Sequence, residues 1–438
     1  VSLPPVTRAA LVRLAAPAAA SGILNNAFRV IDQYAAGSIG TDAQAAIGAC
    51  TFVLIAFWAV TALVAMGAGP LVARATGAGD LALRSRIFGG SLTTAITIGA
   101  VSGVTLYALA HPIASALGLE GEVGNNAAVF LRTLAIGGPL LALAPLLDAV
   151  LVALGRTGVM MALQVGAAVL NALLNVVFIQ VLGMGVEGTA LATVIARAIT
   201  GVLGVWVVWR VLEPRVADLW PDATLRQVAR IGAPITLNTL WYATVYFLLL
   251  RVAITPLGSA TTAALGIGFS ALEGITYPMF LGISLGVSSL VGRHLGAGQP
   301  EQAERAALLG FPLALGLGVT AAMVFYFGAG PLCGVFTDDP EVLAAAMVYA
   351  RTLAWSQIFV SVEALAEGVL QGAGHTRPVF WLSAPLNALR VPLAWVFAFP
   401  LGGGAEGVWW AINVTSLLKA VGKGIVAARG GWKGALPT

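Results

Sequence analysis

Of the 19 acidic residues, five fall within long apolar runs: Asp32, Asp148, Glu273, Glu363 and Glu367. A charged side chain at the centre of a bilayer costs at least about 2.5–3.5 kcal/mol on insertion scales. Each of the five must therefore face a cavity, pair with a cation or carry a proton. Low-dielectric surroundings disfavour the charged form, so such a group can take up a proton or a cation reversibly. Asp32 follows Arg29 by three residues, one helical turn on nearly the same face. The two read either as a coupling site in a cavity or as a structural ion pair. Glu273 stands alone in its run and reads as a cavity group, unless an arginine such as Arg251 reaches it from another helix. Glu363 and Glu367 lie one turn apart. Two carboxylates so placed repel, and one is expected to stay protonated, which suits proton or cation binding. Asp148 and Glu367 read more readily as structural groups held in hydrogen bonds or ion pairs. Asn171 and Asn175 are four apart and face one way, with Asn175 placed to hydrogen-bond Asp32. Arg197 and Arg390 are expected to pair with some of these acids, and Tyr242 to line a cavity in the second half.

Other chemistries find little support. The G-x-S-x-G match at Gly282–Gly286 lies mid-span, with no strand before it and no histidine in reach. His111, His294 and His375 sit at the ends of apolar runs and form no ligand cluster. Cys50 and Cys333 are too few and too far apart for a metal site or a disulfide framework, and read as packing residues. No enzyme activity, metal site or organic cofactor is expected.

The elements that position these residues follow from composition. The chain is 59% hydrophobic and 10% charged, with a mean hydropathy of +0.92, whereas soluble domains carry about 25% charged residues. No soluble fold of this size has interior enough for that apolar load. The pI of 9.3 does not signal nucleic acid, because the basic residues are scattered through loops without interleaved aromatics. Spans are placed at about 13–40, 46–70, 87–112, 127–153, 159–183, 187–212, 229–255, 260–291, 306–331, 343–371, 378–400 and 404–428, each near the roughly 20 residues a crossing needs. The first is too long for a signal peptide and reads as a mature span. With the N-terminus in the cytoplasm, the inner loops and span ends hold 17 of the 23 basic residues, Lys419 and Lys423 among them, and the outer loops hold acids. Both termini are then cytoplasmic.

The sequence repeats itself. LVARATGAGD at 71–80 matches LVGRHLGAGQ at 290–299, ALGRTG at 153–158 matches GAGHTR at 372–377, and GVEG at 185–188 matches GAEG at 404–407, all at a shift of 219 residues. LNALL at 170–174 matches LNALR at 386–390 at a shift of 216, an indel of three. Six spans per half make parallel repeats, expected as a lobe over 1–213, a cytoplasmic linker over 214–228 and a second lobe over 229–438. Two such lobes suit alternating access better than a pore.

These segments resemble the multidrug and toxic compound extrusion (MATE) family over nearly the whole chain. VIDQYAAGSIG at 30–40 is similar to the family's first-span pattern, with Asp32 at its acidic position. LVGRHLGAGQPEQAER at 290–305 and QGAGHTRP at 371–378 resemble two of its loops. The resemblance implies an all-α membrane protein of twelve helices in two six-helix bundles. It also implies export of cationic amphipathic compounds in exchange for H⁺ or Na⁺, a multi-pass location in the inner membrane and, we expect, a monomer. Tyr242 and Val360 stand where one branch has acids, and Ile179 replaces an aspartate that follows Asn175 in another. LEGITYPMF at 272–280 instead resembles a group with a glutamate at Glu273, and Glu363 matches that group's tenth-span glutamate. The candidate coupling and substrate residues are therefore Asp32, Glu273, Glu363, Asn175, Arg29 and Tyr242. The alternative function is flipping of lipid-linked sugars within the same superfamily, against which five acids facing four span arginines argue.

Overall fold

A computed structural model describes residues 3–434. Almost all of them lie in helices. We label the long ones α1 (Arg8–Ile39), α2 (Val53–Ala78), α3 (Leu81–Ala116), α4 (Gly121–Ile136 and Gly138–Ala153), α5 (Thr157–Val181), α6 (Gly185–Leu212), α7 (Thr224–Leu257), α8 (Ser259–Gly296), α9 (Pro300–Phe327), α10 (Pro340–Gly372), α11 (Arg377–Ala398) and α12 (Gly404–Ala428). Among the described residues ten helices, α2, α3 and α5–α12, are each long and apolar enough to cross a membrane, and the two parts of α4 make an eleventh span. The remaining helix, α1, has 32 residues. At 1.5 Å per residue it is about 48 Å long, ample for a core of about 30 Å. It is the most polar of the twelve because it carries Arg8, Arg13, Arg29 and Asp32.

The second span differs from its expected bounds. A separate helix, Thr41–Ala49, precedes α2, which continues to Ala78 rather than ending near 70. The two parts of α4 meet at 66°, at Gly137-Gly138-Pro139. Proline lacks the amide that would continue the helical ladder, which accounts for the break. The bend also seats α3, since a methyl on Gly99 or Gly103 would collide with the backbone of Gly138 or Ala135. In α8, Gly282 and Gly286 similarly admit the backbone of α1 around Ala15. These spacings, legible in sequence, are close helix crossings.

Backbone contacts divide the chain into two compact units. One is Ser21–Thr236; the other joins Ser2–Ala20 to Leu237–Thr438. This division assigns the 214–228 segment and the start of α7 to the first unit. The segment lies along α3: Thr93 Oγ1 donates to Leu219 O at 2.8 Å, and a methyl on Gly89 would collide with the Asp218 carbonyl; just before it, Ser85 Oγ donates to Leu212 O at the end of α6. Gly67 and Gly232 let α2 and α7 touch backbone to backbone. Within the first unit α4 packs on α2, α3 and α6, and α6 packs on α5. Within the second, α10 packs on α8, α9 and α12, and α12 on α11. The pairing is the same with every helix moved by six, which is the sequence repeat expressed as packing.

Candidate functional site

In the first unit α1, α5 and α6 converge on Asp32, which is 8% exposed. Its Oδ1 accepts from Asn171 Nδ2 at 3.2 Å and Asn175 Nδ2 at 3.1 Å, and its Oδ2 from Thr193 Oγ1 at 2.7 Å. Asn171 Nδ2 also donates to Thr193 Oγ1 at 3.0 Å, and Asn175 Nδ2 to the Asn171 carbonyl at 3.1 Å. The i, i+4 spacing on α5 aims both amides at one carboxylate. Just beyond Asn175, α5 widens into a π-type turn over Val176–Val181, a distortion common at functional sites. The donors are all neutral, and no ion pair to Asp32 occurs among the described residues. Asn171 Oδ1 and Asn175 Oδ1 are buried and accept no hydrogen bond among the described residues.

A second polar chain of the same unit leads away from this cradle. Arg197 Nη1 donates to Gln164 Oε1 at 3.0 Å, and Gln164 Nε2 to Asp148 Oδ2 at 2.9 Å. Arg197 Nη2 reaches Asn25 Oδ1, and its guanidinium lies 4.0 Å from the centroid of the Phe28 ring, a cation–π contact. The expected partnership of Arg197 with an acid thus runs through Gln164.

In the second unit α8 widens over Ile267–Leu272 into another π-type turn that ends at Glu273. Tyr349 Oη donates to Glu273 Oε1 at 3.0 Å. Tyr349 is 1% exposed and stands edge-on to Trp409, with ring centroids 4.8 Å apart. Its ring lies flush on Gly268, where a methyl would overlap it. Arg251 is exposed and is not the partner of Glu273. Tyr242 packs against Tyr246 at 4.5 Å, and Tyr246 against Phe269 at 5.6 Å, which places Tyr242 in an aromatic run from α7 to α8. Arg390 pairs with hydroxyls rather than a carboxylate: Nε donates to Thr415 Oγ1 at 3.0 Å and Nη2 to Ser416 Oγ at 3.4 Å.

Glu363 and Glu367 are not left to repel each other. Lys419 Nζ lies 3.1 Å from Glu363 Oε1, Lys423 Nζ lies 2.6 Å from the same oxygen, and Lys423 also pairs with Glu367. The two lysines were expected on the cytoplasmic side; they lie within α12, buried, and make the α10 pair neutral. Their i, i+4 spacing mirrors that of Glu363 and Glu367, and the match was the available clue in a chain with three lysines. Thr193 and Tyr349 carried no sequence signal, because hydroxyls are common on apolar helices. The Arg29 side chain lies outside the described residues.

A family model described as MatE matches residues 17–177 and 234–396. The probable multidrug resistance protein NorM of Thermotoga maritima is 25% identical, over 98% of this chain and 94% of its own. Its counterpart in Pseudomonas syringae pv. tomato is 29% identical, over 94% and 92%. Among solved structures, a MOP superfamily transporter from Pyrococcus furiosus, described as having a binding pocket of reversed polarity, superposes with a TM-score of 0.87 at 22% identity, over 96% of this chain and 95% of that one. The family match spans most of both repeats, and the superposition shows the same fold. The chain belongs to the MatE family of membrane transporters, the multidrug and toxic compound extrusion family.

Proposed function

We propose that this protein is a secondary multidrug antiporter that exports cationic amphipathic compounds in exchange for H⁺ or Na⁺ by alternating access. The observation that carries this reading is the Asp32 cradle. A buried carboxylate held by three neutral donors from α5 and α6 has no ion-pair partner among the described residues. A proton can neutralise it directly. With the two orphaned amide oxygens and the Thr193 hydroxyl, it also makes an all-oxygen set suited to a hard cation. Cation and substrate then compete for one charge. The relatives' names as multidrug resistance proteins support drug export. In the second unit Glu273 is the corresponding candidate, while Glu363 is already neutralised. We place the protein in the inner membrane as a monomer with both termini in the cytoplasm.

The test is efflux of a lipophilic cationic dye from proteoliposomes under an H⁺ gradient and, separately, a Na⁺ gradient. One of the two gradients drives efflux; if neither does, the antiport reading fails. Lys419 and Lys423 raise the basic residues in the spans to six against five acids, so charge counting no longer argues against an anionic substrate. Flipping of a lipid-linked sugar is therefore the second reading, and flipping of such a lipid without dye transport would establish it.

A further inference from the structure

The four-charge cluster of the second unit has no use in the function proposed above. Three of its members are buried and the fourth is partly so: Lys423 has 0% of its side chain exposed, Lys419 8%, Glu363 9% and Glu367 23%. Burying four charges is costly unless each is paired and hydrogen-bonded. Here the pairing is complete, with two ammonium groups on α12 facing two carboxylates on α10. Other charged or titratable groups near it are Arg390 on α11 and Tyr277 on α8.

The repeat shows which members are additions. At the 219-residue shift Glu367 corresponds to Asp148, but Glu363 corresponds to Ala144, Lys419 to Thr200 and Lys423 to Gly204. The second half thus carries one extra carboxylate together with two ammonium groups, at positions where the first half has small neutral residues. In the first unit Asp148 meets the neutral amide of Gln164. The ammonium groups instead meet the α10 carboxylates as ion pairs within hydrogen-bond distance.

We propose that Lys419 and Lys423 are tethered counter-cations that hold Glu363 and Glu367 permanently in the neutralised state. They exclude an exchangeable proton or metal cation from α10 and confine ion exchange to carboxylates without a lysine partner. The two lysines are then specificity-determining residues for the coupling ion. This inference rests on the antiport reading for its consequence, but its core claim concerns ion binding and can be measured without transport.

The experiment counts ions on purified full-length protein: radioactive sodium bound at mildly alkaline pH, and protons taken up on acidification. The variant Lys419→Met/Lys423→Met frees both carboxylates, and about one further proton or Na⁺ per chain is expected relative to the parent. An unchanged count in folded double variant overturns the proposal. Should that variant not fold, a neutral version decides: Glu363→Gln/Glu367→Gln/Lys419→Met/Lys423→Met. It is expected to keep the parent's ion count and its gradient-driven dye efflux. Loss of a bound ion, or of coupling with the fold intact, shows that the cluster takes part in exchange and overturns the proposal. Asp32→Asn is run in parallel. If it leaves coupling intact, the antiport site has been misplaced, and the result for α10 stands by itself.

Discussion

Gly268→Ala is expected to loosen the second unit around Glu273. The added methyl falls within the ring of Tyr349, and the ring has little room to retreat because Trp409 backs it at 4.8 Å and it is 1% exposed. Overpacking of this kind costs about 1–3 kcal/mol. Displacing the ring also breaks the hydrogen bond from Tyr349 Oη to Glu273, and bonds to charged groups are worth about 1.5–3 kcal/mol. The sum is about 2.5–6 kcal/mol, whereas Tyr349→Phe loses only the second part. The chain supplies its own reporters, since Cys333 and Cys50 are both buried. Cys333 shares a core with Ala264 and Leu272 of α8 and Ala346, Ala350 and Ala354 of α10, while Cys50 lies in a core of the first unit. Reaction of a thiol dye is followed with temperature in single-cysteine backgrounds, Cys50→Ala or Cys333→Ala. Gly268→Ala should raise the reactive fraction at Cys333 by roughly a hundredfold or more at a given temperature, taking about 1.4 kcal/mol per factor of ten. Tyr349→Phe should do so by about ten- to a hundredfold, and Cys50 should respond less to either. Equal effects of the two substitutions would refute the steric part of the reasoning, and no effect at Cys333 would refute all of it.

Thr193→Val removes the shortest bond to Asp32 while keeping the side-chain shape, so gradient-driven efflux should fall roughly tenfold or more, with Thr193→Ser retaining most of it. Gly99→Ala should cost about 1–3 kcal/mol, read as earlier reaction of Cys50, because the new methyl meets the Gly138 carbonyl at the α3–α4 crossing. Lys433→Ala, which breaks the exposed pair with Glu304, should change stability by less than about 1 kcal/mol.

The membrane class, the repeat and most spans were legible because each rests on a sum over many residues. Hydropathy over about 20 positions and matches in three loops survive local errors. The bounds of α2 were not legible, because nothing in the run from 46 to 70 marks the break before Thr51. The 214–228 segment read as a cytoplasmic linker, and its polar composition gives no sign of the Thr93–Leu219 hydrogen bond that lays it along α3. At the sites, the contact between Asn175 and Asp32 was legible because one helix turn and a resemblance brought both residues forward. Lys419 and Lys423 were misplaced for a physical reason: charge near the end of a span reads as a loop residue unless its buried partner on another helix is known. Glu363 and Glu367 seemed to repel for the same reason, since their counter-ions lie 56 and 60 residues away in sequence.

The central claim is that ion exchange runs through the Asp32 carboxylate. Its most direct test is dye efflux from proteoliposomes by Asp32→Asn, which keeps size and hydrogen-bonding capacity but removes the charge. The variant should fold and insert as the parent does, yet lose the acceleration of efflux by the driving ion gradient. Gradient-driven efflux equal to the parent's would contradict it.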